Sequence, residues 1–150
     1  MIIKRYISQE EIKHCCLDIV SQMYKDNWRP DFIVGVTRGG LWPAMMLSHY
    51  LGIKMYTLDV RMRDGDEQEH CEWLINEATC GTNILIIDDI NDTGETYTWI
   101  QNDWGVLENN LRFAALIDNV PSNFSVDYSS IEINKTEDPA WIVFPYEEWW

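Results

Sequence analysis

The sequence predicts an α/β fold in which a mainly parallel sheet is flanked by helices. Four consecutive aliphatic residues, Ile84–Ile87, indicate a strand that is buried on both faces, as is typical of parallel sheets. Other apolar segments have strand length and alternate with helical patterns, which is the βαβ order of a parallel sheet. The predicted strands are 32–36, 54–60, 84–88 and 113–117, and the predicted helices between them are 41–51 and 96–104.

A further helix is predicted from Gln9 to Lys25, before the first of these strands. Ser8 and Glu11 have the spacing of a capping box, which marks a helix start. One face of this helix is apolar and carries Ile12, Cys15, Cys16, Ile19 and Met23. The 150 residues contain no repeat and no linker-like stretch, so we expect one domain, 1–150.

Composition bears on the partners that the protein can have. The chain has 25 acidic and 11 basic residues, and its net charge of −14 would repel a nucleic-acid backbone. No apolar run is long enough for a membrane span, and the N-terminus lacks a secretory pattern. The cysteines lack metal-binding spacing, and Cys71 and Cys80 flank an ordinary helical stretch. We therefore expect a cytoplasmic protein that binds neither nucleic acid nor membranes.

The strand at Ile84 runs into two acids and then a small polar loop. The carboxyl edge of a parallel sheet is where ligands bind, and Gly94 permits a turn in which several N–H groups point at one anion. An EF-hand starting at Asp89 would need a carboxylate at its twelfth position, which is Ile100. No nucleotide-triphosphate P-loop or dinucleotide glycine motif is present. The loop fits a phosphate, and the adjacent acids fit sugar hydroxyls or a hydrated divalent cation.

The segment from Ile84 to Thr96 resembles the signature that binds 5-phosphoribosyl 1-diphosphate (PRPP) in type I phosphoribosyltransferases. The resemblance implies their Rossmann-like fold with a small hood, and magnesium as the cofactor. It implies that Asp88 and Asp89 face the ribose hydroxyls and the magnesium shell, and that Asp92 is the catalytic acid/base residue. The PRPP-binding set that it implies is Asp88, Asp89, Asn91, Asp92, Thr93, Gly94, Glu95 and Thr96.

A second strand, 32–36, ends in another glycine-containing loop before a helix. Two consecutive glycines allow the backbone to approach a ligand closely, and Arg38 supplies a positive charge. In the resembling family this position is the diphosphate-binding loop, where the peptide bond before the basic residue is often cis. We therefore expect Thr37, Arg38, Gly39 and Gly40 to bind diphosphate, with a cis Thr37–Arg38 bond.

The aromatic C-terminal segment resembles the hood of the xanthine, guanine and hypoxanthine phosphoribosyltransferases, and we expect a hood at about 118–150. The resemblance implies that Trp141 stacks on a purine and that the backbone near Ile142 reads its edge. These relatives usually carry a lysine after the strand at 113–117, where this chain has Asp118 and Asn119. Asp118 is taken as base-binding in its place. Lys135 lies further along, and the sequence does not show that it reaches the site.

The function predicted from the resemblance is transfer of phosphoribose from PRPP to a 6-oxopurine, with a flexible lid at about 61–80. Two alternatives share the PRPP site: a non-catalytic regulator that binds PRPP or a nucleotide, and a transferase that uses another nucleobase. The missing lysine favours the regulator, whereas Asp92 and the aromatic hood favour an enzyme. The resemblance also implies a homodimer, with Trp149 and Trp150 as interface residues.

Overall fold

The computed structural model describes residues 1–60, 71–105 and 110–148. Seven strands, four α-helices and one short 3₁₀ helix follow one another in these ranges. The strands are β1 (Lys4–Tyr6), β2 (Phe32–Thr37), β3 (Lys54–Asp59), β4 (Ile84–Asn91), β5 (Leu111–Asn119), β6 (Tyr128–Ile133) and β7 (Trp141–Val143). The helices are α1 (Gln9–Lys25), α2 (Leu41–Leu51), α3 (Glu72–Thr79), α4 (Glu95–Trp104) and the 3₁₀ helix Pro145–Glu147.

The central sheet has five parallel strands in the order β3-β2-β4-β5-β6, which confirms the predicted fold class. The residues of β4 alternate between the two faces of this sheet. Leu85 and Ile87 pack in the core beneath α1 and α2, while Ile84 and Ile86 pack in the core beneath α3 and α4. All four are 0% exposed, as expected for a strand covered by helices on both faces.

The first helix begins and ends where the sequence predicts. The Glu11 amide donates to Ser8 Oγ at 3.1 Å, and the Ser8 amide donates to Glu11 Oε2 at 3.0 Å, which completes the capping box. The five apolar residues predicted for its inner face are all buried. No helix in the part of the chain that the structure describes is long and apolar enough to cross a membrane.

The order of the strands places the two predicted ligand loops side by side. From β2 the chain passes outward to β3, and it then returns to add β4 on the other side of β2. Ligands of open α/β sheets bind at such a switch point, outside the carboxyl ends of the strands. The loop after β2 is 38–40 and the loop after β4 is 92–94, so both open at this point.

Two expected boundaries differ from the structure. Within the expected lid, Glu72–Thr79 forms α3, whose Leu74 and Ala78 are buried, while residues 61–70 lie outside the described ranges. Within the expected hood, Tyr128–Ile133 forms the edge strand of the central sheet, because its backbone pairs with β5 from Ala114 to Asn119. The hood contains β7, and β7 pairs in parallel with β1 from the N-terminal end of the chain.

Candidate active site

A cleft of about 180 Å³ opens where β4 gives way to α4. Seven of the eight residues predicted to bind PRPP line it, and the exception is Asp89. The lining consists of Asp88, Ile90, Asn91, Asp92, Thr93, Gly94, Glu95, Thr96 and Tyr97. Because α4 begins at Glu95, the amides of its first turn lie beside this loop, an arrangement that favours an anionic group.

The floor of the cleft is supported by the end of β5 and by the chain that follows it. Asn91 Nδ2 lies 2.9 Å from Asp118 Oδ1, 2.8 Å from Ser122 Oγ and 2.8 Å from the Phe124 carbonyl oxygen. Gly94 has φ of +89°, and a Cβ at this position would lie 2.7 Å from the Phe124 amide nitrogen. A side chain at residue 94 would therefore be strained by its backbone and would clash with this support.

The two adjacent carboxylates point to opposite faces of β4, as successive strand residues do. Asp88 lines the cleft on the side of α4. Asp89 is 8% exposed and lies on the other side, where its Oδ2 accepts a hydrogen bond from the Tyr146 hydroxyl at 2.5 Å. Of the two acids expected to face the ribose, Asp88 alone lines the cleft, while Asp89 packs against the loop at 37–40.

Burial raises the pKa of both carboxyl groups. The pKa of Asp88 lies well above its usual range because burial disfavours the charged form and the neighbouring Asp89 charge adds to the effect. The pKa of Asp89 is also raised by burial, against which the hydrogen bond from Tyr146 acts. A cation bound in the cleft would relieve this cost, since a nearby positive charge favours ionised carboxylates.

The expected diphosphate loop lies directly beside Asp89. Its Thr37–Arg38 peptide bond is cis, as predicted. A Cβ on Gly39 would lie 2.2 Å from Asp89 Oδ2, and one on Gly40 would lie 2.4 Å from the Ile87 carbonyl oxygen. Only glycine lets this loop approach β4 so closely, and the Arg38 side chain is exposed.

The C-terminal segment closes over the same loop. Besides contacting Asp89, the Tyr146 hydroxyl lies 3.2 Å from the Gly39 carbonyl oxygen. The 3₁₀ helix that carries Tyr146 follows β7, so the hood and the diphosphate loop are joined by this side chain. Sequence reasoning assigned Tyr146 no role, although it belongs to the aromatic segment that pointed to the hood.

A lysine does reach the site, but from an unexpected element. Lys135 follows β6, and its Nζ lies 2.8 Å from Asp92 Oδ2 and 5.8 Å from the centroid of the Trp141 ring. Asn119 holds this arrangement together: its Nδ2 donates to the Asp92 carbonyl at 2.8 Å, and its Oδ1 accepts from the Lys135 amide at 3.0 Å. Asn119, one of the two residues that stand where the resemblance led us to expect a lysine, therefore anchors a lysine that comes from elsewhere in the chain.

The hood strand β7 begins with Trp141, whose ring lies near Lys135, and continues with Ile142. Trp141 is 45% exposed, whereas the Ile142 side chain is 7% exposed. The Trp141 amide donates to the Ile3 carbonyl, and the Ile7 amide donates to the Val143 carbonyl. Because alternate residues bond in a parallel ladder, the N–H and C=O of Ile142 face away from β1.

Comparison with known proteins decides the family. The family profile of the phosphoribosyl transferase domain matches residues 5–147. This chain belongs to the phosphoribosyltransferase family. The family is one of transferases, and the fold class predicted from the sequence is its fold.

Individual relatives of this phosphoribosyltransferase support the same assignment. It is 31% identical over 125 residues to the xanthine-guanine phosphoribosyltransferase of Cereibacter sphaeroides, which covers 80% of this chain and 70% of that protein. It is 27% identical over 117 residues to xanthine phosphoribosyltransferase 1 of Saccharomyces cerevisiae, covering 62% of this chain and 56% of that protein. The purine phosphoribosyltransferase structure from Pyrococcus horikoshii superposes with a TM-score of 0.74 at 25% identity, over 99% of this chain and 96% of that one.

The residues of this phosphoribosyltransferase fit a magnesium ion that is bound by few protein ligands. Among the described residues, no three His, Cys, Asp or Glu side chains form a group that could hold a metal. Magnesium often keeps several waters and binds through one or two carboxylates together with substrate phosphates. The carboxylate of Asp88, which is partly exposed and lines the cleft, suits that mode. Asp89 is less available, since its oxygens contact the Ile90 amide and Tyr146.

Proposed function

We propose that this protein transfers the 5-phosphoribosyl group of PRPP to a 6-oxopurine base and releases diphosphate, a reaction of purine salvage. The observation that carries the proposal is the meeting of three distant segments at one switch point of the sheet. These are the cleft at 88–97, the glycine loop at 37–40, and the hood that reaches the cleft through the contacts of Lys135 with Asp92 and Trp141.

In this reaction the bond between the sugar C1 and the diphosphate oxygen breaks, and a bond from C1 to a ring nitrogen forms. The amides of 91–96 and the hydroxyls of Thr93 and Thr96 would hold the 5-phosphate. Arg38 and the amides of its loop would stabilise the charge on the leaving diphosphate. The Asp92 carboxylate would accept the proton that the base nitrogen loses. Magnesium, bound by Asp88, would neutralise charge on the diphosphate. Asp89, on the opposite face of β4, would add negative charge near the ion.

The choice of a 6-oxopurine rests on the hood and on the named relatives. Trp141 offers an exposed ring face on which a purine can stack, and the backbone of Ile142 faces away from its partner strand. The curated relatives are named for xanthine and guanine, which both carry an oxygen at C6. Asp118 contacts Asn91 at the floor of the cleft, so we assign it to shaping the base site rather than to charge recognition.

The test is diphosphate release from PRPP and magnesium with hypoxanthine, guanine, xanthine, adenine, uracil or orotate in separate reactions. We expect release with one or more of the oxopurines, together with formation of the corresponding nucleotide. A reaction without base is the control for simple hydrolysis of PRPP. Release with none of the six bases, while PRPP still binds, would overturn the oxopurine proposal and support a regulator or a transferase that uses another acceptor.

We also propose a homodimer, which sedimentation of the purified protein would test. Trp149 and Trp150, the predicted interface residues, lie outside the described ranges.

A further inference from the structure

We propose that Tyr146 couples the two halves of the site, so that diphosphate bound at the loop 37–40 stabilises the hood through this one side chain. Tyr146 is a positioning residue in this proposal, since it acts through the loop and the hood and does not touch the reacting atoms. The inference rests on the proposed function, because it takes the loop as the diphosphate site and the hood as the base site. It assigns a role in substrate binding to the 3₁₀ helix near the end of the chain.

The first argument concerns how the ring of Tyr146 is held. Phe144, which directly follows β7 and is 2% exposed, stacks on it with the ring centroids 5.6 Å apart and the ring planes 3° apart. The ring of Trp42 packs against it as well, with the centroids 5.7 Å apart. Trp42 lies in the first turn of α2, and α2 begins at Leu41, directly after the loop 37–40. Aromatic packing therefore fixes Tyr146 to the hood and to the helix that follows the loop.

The second argument concerns the hydroxyl, which reaches the loop itself. It donates to Asp89 Oδ2 at 2.5 Å and lies 3.2 Å from the Gly39 carbonyl oxygen, so a single proton serves two acceptors. Burial raises the pKa of Tyr146 and the charge of Asp89 adds to the effect, so the hydroxyl keeps its proton and remains a donor. A Cβ on Gly39 would lie 2.2 Å from Asp89 Oδ2, which shows how closely the loop is packed on β4. A displacement of the loop would therefore disturb the contacts of Tyr146.

The third argument concerns the stability of the hood. Its strand β7 has three residues and pairs with β1, which also has three, in a sheet of two strands. Isolated two-stranded pairs are marginally stable at best, so such a small sheet depends on the side-chain contacts around it. Diphosphate that fixes the loop would also fix the partners of the Tyr146 hydroxyl and thereby reduce the motion of the hood. A base that binds afterwards would lose less conformational entropy, which raises its affinity without any new contact.

The experiment measures hydrogen exchange of backbone amides with and without saturating magnesium diphosphate, and it needs neither a base nor turnover. The readout is the exchange rate of the Trp141 and Ile7 amides, whose hydrogen bonds join β7 to the N-terminal segment. Tyr146→Phe removes the hydroxyl and keeps the ring that packs against its aromatic neighbours. Tyr24→Phe is the matched control, because Tyr24 is exposed on α1. Saturation of each protein with diphosphate is verified by calorimetry.

We expect saturating diphosphate to slow the exchange of both amides by about 5-fold or more in the wild type and in Tyr24→Phe, which is the lower end of the usual coupling between two sites. In Tyr146→Phe this slowing should be lost even at saturation, because the loop is occupied but no longer joined to the hood by the hydroxyl. Equal slowing in Tyr146→Phe and the wild type would overturn the inference, and so would a wild type whose hood does not respond to diphosphate. Base-dependent diphosphate release decides the proposed function separately, so the two can fail independently.

Discussion

Replacing Asn119 by alanine should lower the free energy of unfolding and weaken binding of the base. Asn119 is 7% exposed and makes two side-chain hydrogen bonds, one to the Asp92 carbonyl at 2.8 Å and one from the Lys135 amide at 3.0 Å. At a net value of about 0.5–1.5 kcal/mol for each bond, the loss is about 1–3 kcal/mol of unfolding free energy. For a chain of this size, each kcal/mol lowers Tm by about 2–4 °C.

Urea unfolding and base-dependent turnover, measured on the same preparation, test this reasoning. Asn123→Ala is a matched control, because Asn123 is exposed and its backbone amide donates to the Thr93 carbonyl at 2.9 Å, a bond that the substitution preserves. We expect Asn119→Ala to unfold at lower urea and to show a higher KM for the base. An unfolding midpoint equal to that of Asn123→Ala would refute the claim that Asn119 clamps the two segments.

Three further substitutions test the remaining parts of the site. Asp92→Asn should lower kcat far more than PRPP affinity, and equal losses in both would mean that Asp92 only shapes its loop. Tyr146→Phe removes the hydroxyl that contacts Asp89 and the Gly39 carbonyl, so diphosphate should bind more weakly, whereas Tyr24→Phe, at an exposed position, should not alter binding. Asp88→Asn should abolish PRPP binding yet raise the unfolding free energy above about pH 4, since burial raises the pKa of Asp88 and its charged form costs stability. The gain should vanish as the pH falls through the range in which the unfolded carboxyl becomes protonated, and a gain that stays constant with pH would contradict this account.

The sequence predicted the centre of the fold well because its elements carry strong local signals. The aliphatic run at Ile84 has no polar residue that could face water, and Ser8 with Glu11 marks the start of α1. The strand containing Ile84 extends further than predicted, to Asn91, because the acidic side chains do not interrupt its pairing with β5. Backbone hydrogen bonds, which the side-chain pattern does not reveal, decide where this strand ends.

Lys135 was missed as a site residue because β6 was missed as a strand. Tyr128–Ile133 contains two serines and a glutamate and lies at the sheet edge, where most of its side chains are only partly buried, so its apolar pattern is weak. Had this segment been recognised as the fifth parallel strand, the rule that ligands bind at the carboxyl edge would have placed Lys135 at the site. The pairing of β1 with β7 joins segments about 137 residues apart, and no local pattern encodes that contact.

The distribution of charge across the site follows from which face of β4 each carboxylate occupies. Asp88 lines the cleft, whereas Asp89 lies beneath the glycine loop, and burial raises the pKa of both. The protein thus keeps two acids whose charged forms are disfavoured at a point where, under the proposed function, the substrate would bring a diphosphate and a cation. In a chain with a net charge of −14, binding of a polyanion depends on such local compensation. Under the proposed function, Arg38 and Lys135 would supply the fixed positive charges that help this acidic chain to bind an anionic sugar phosphate.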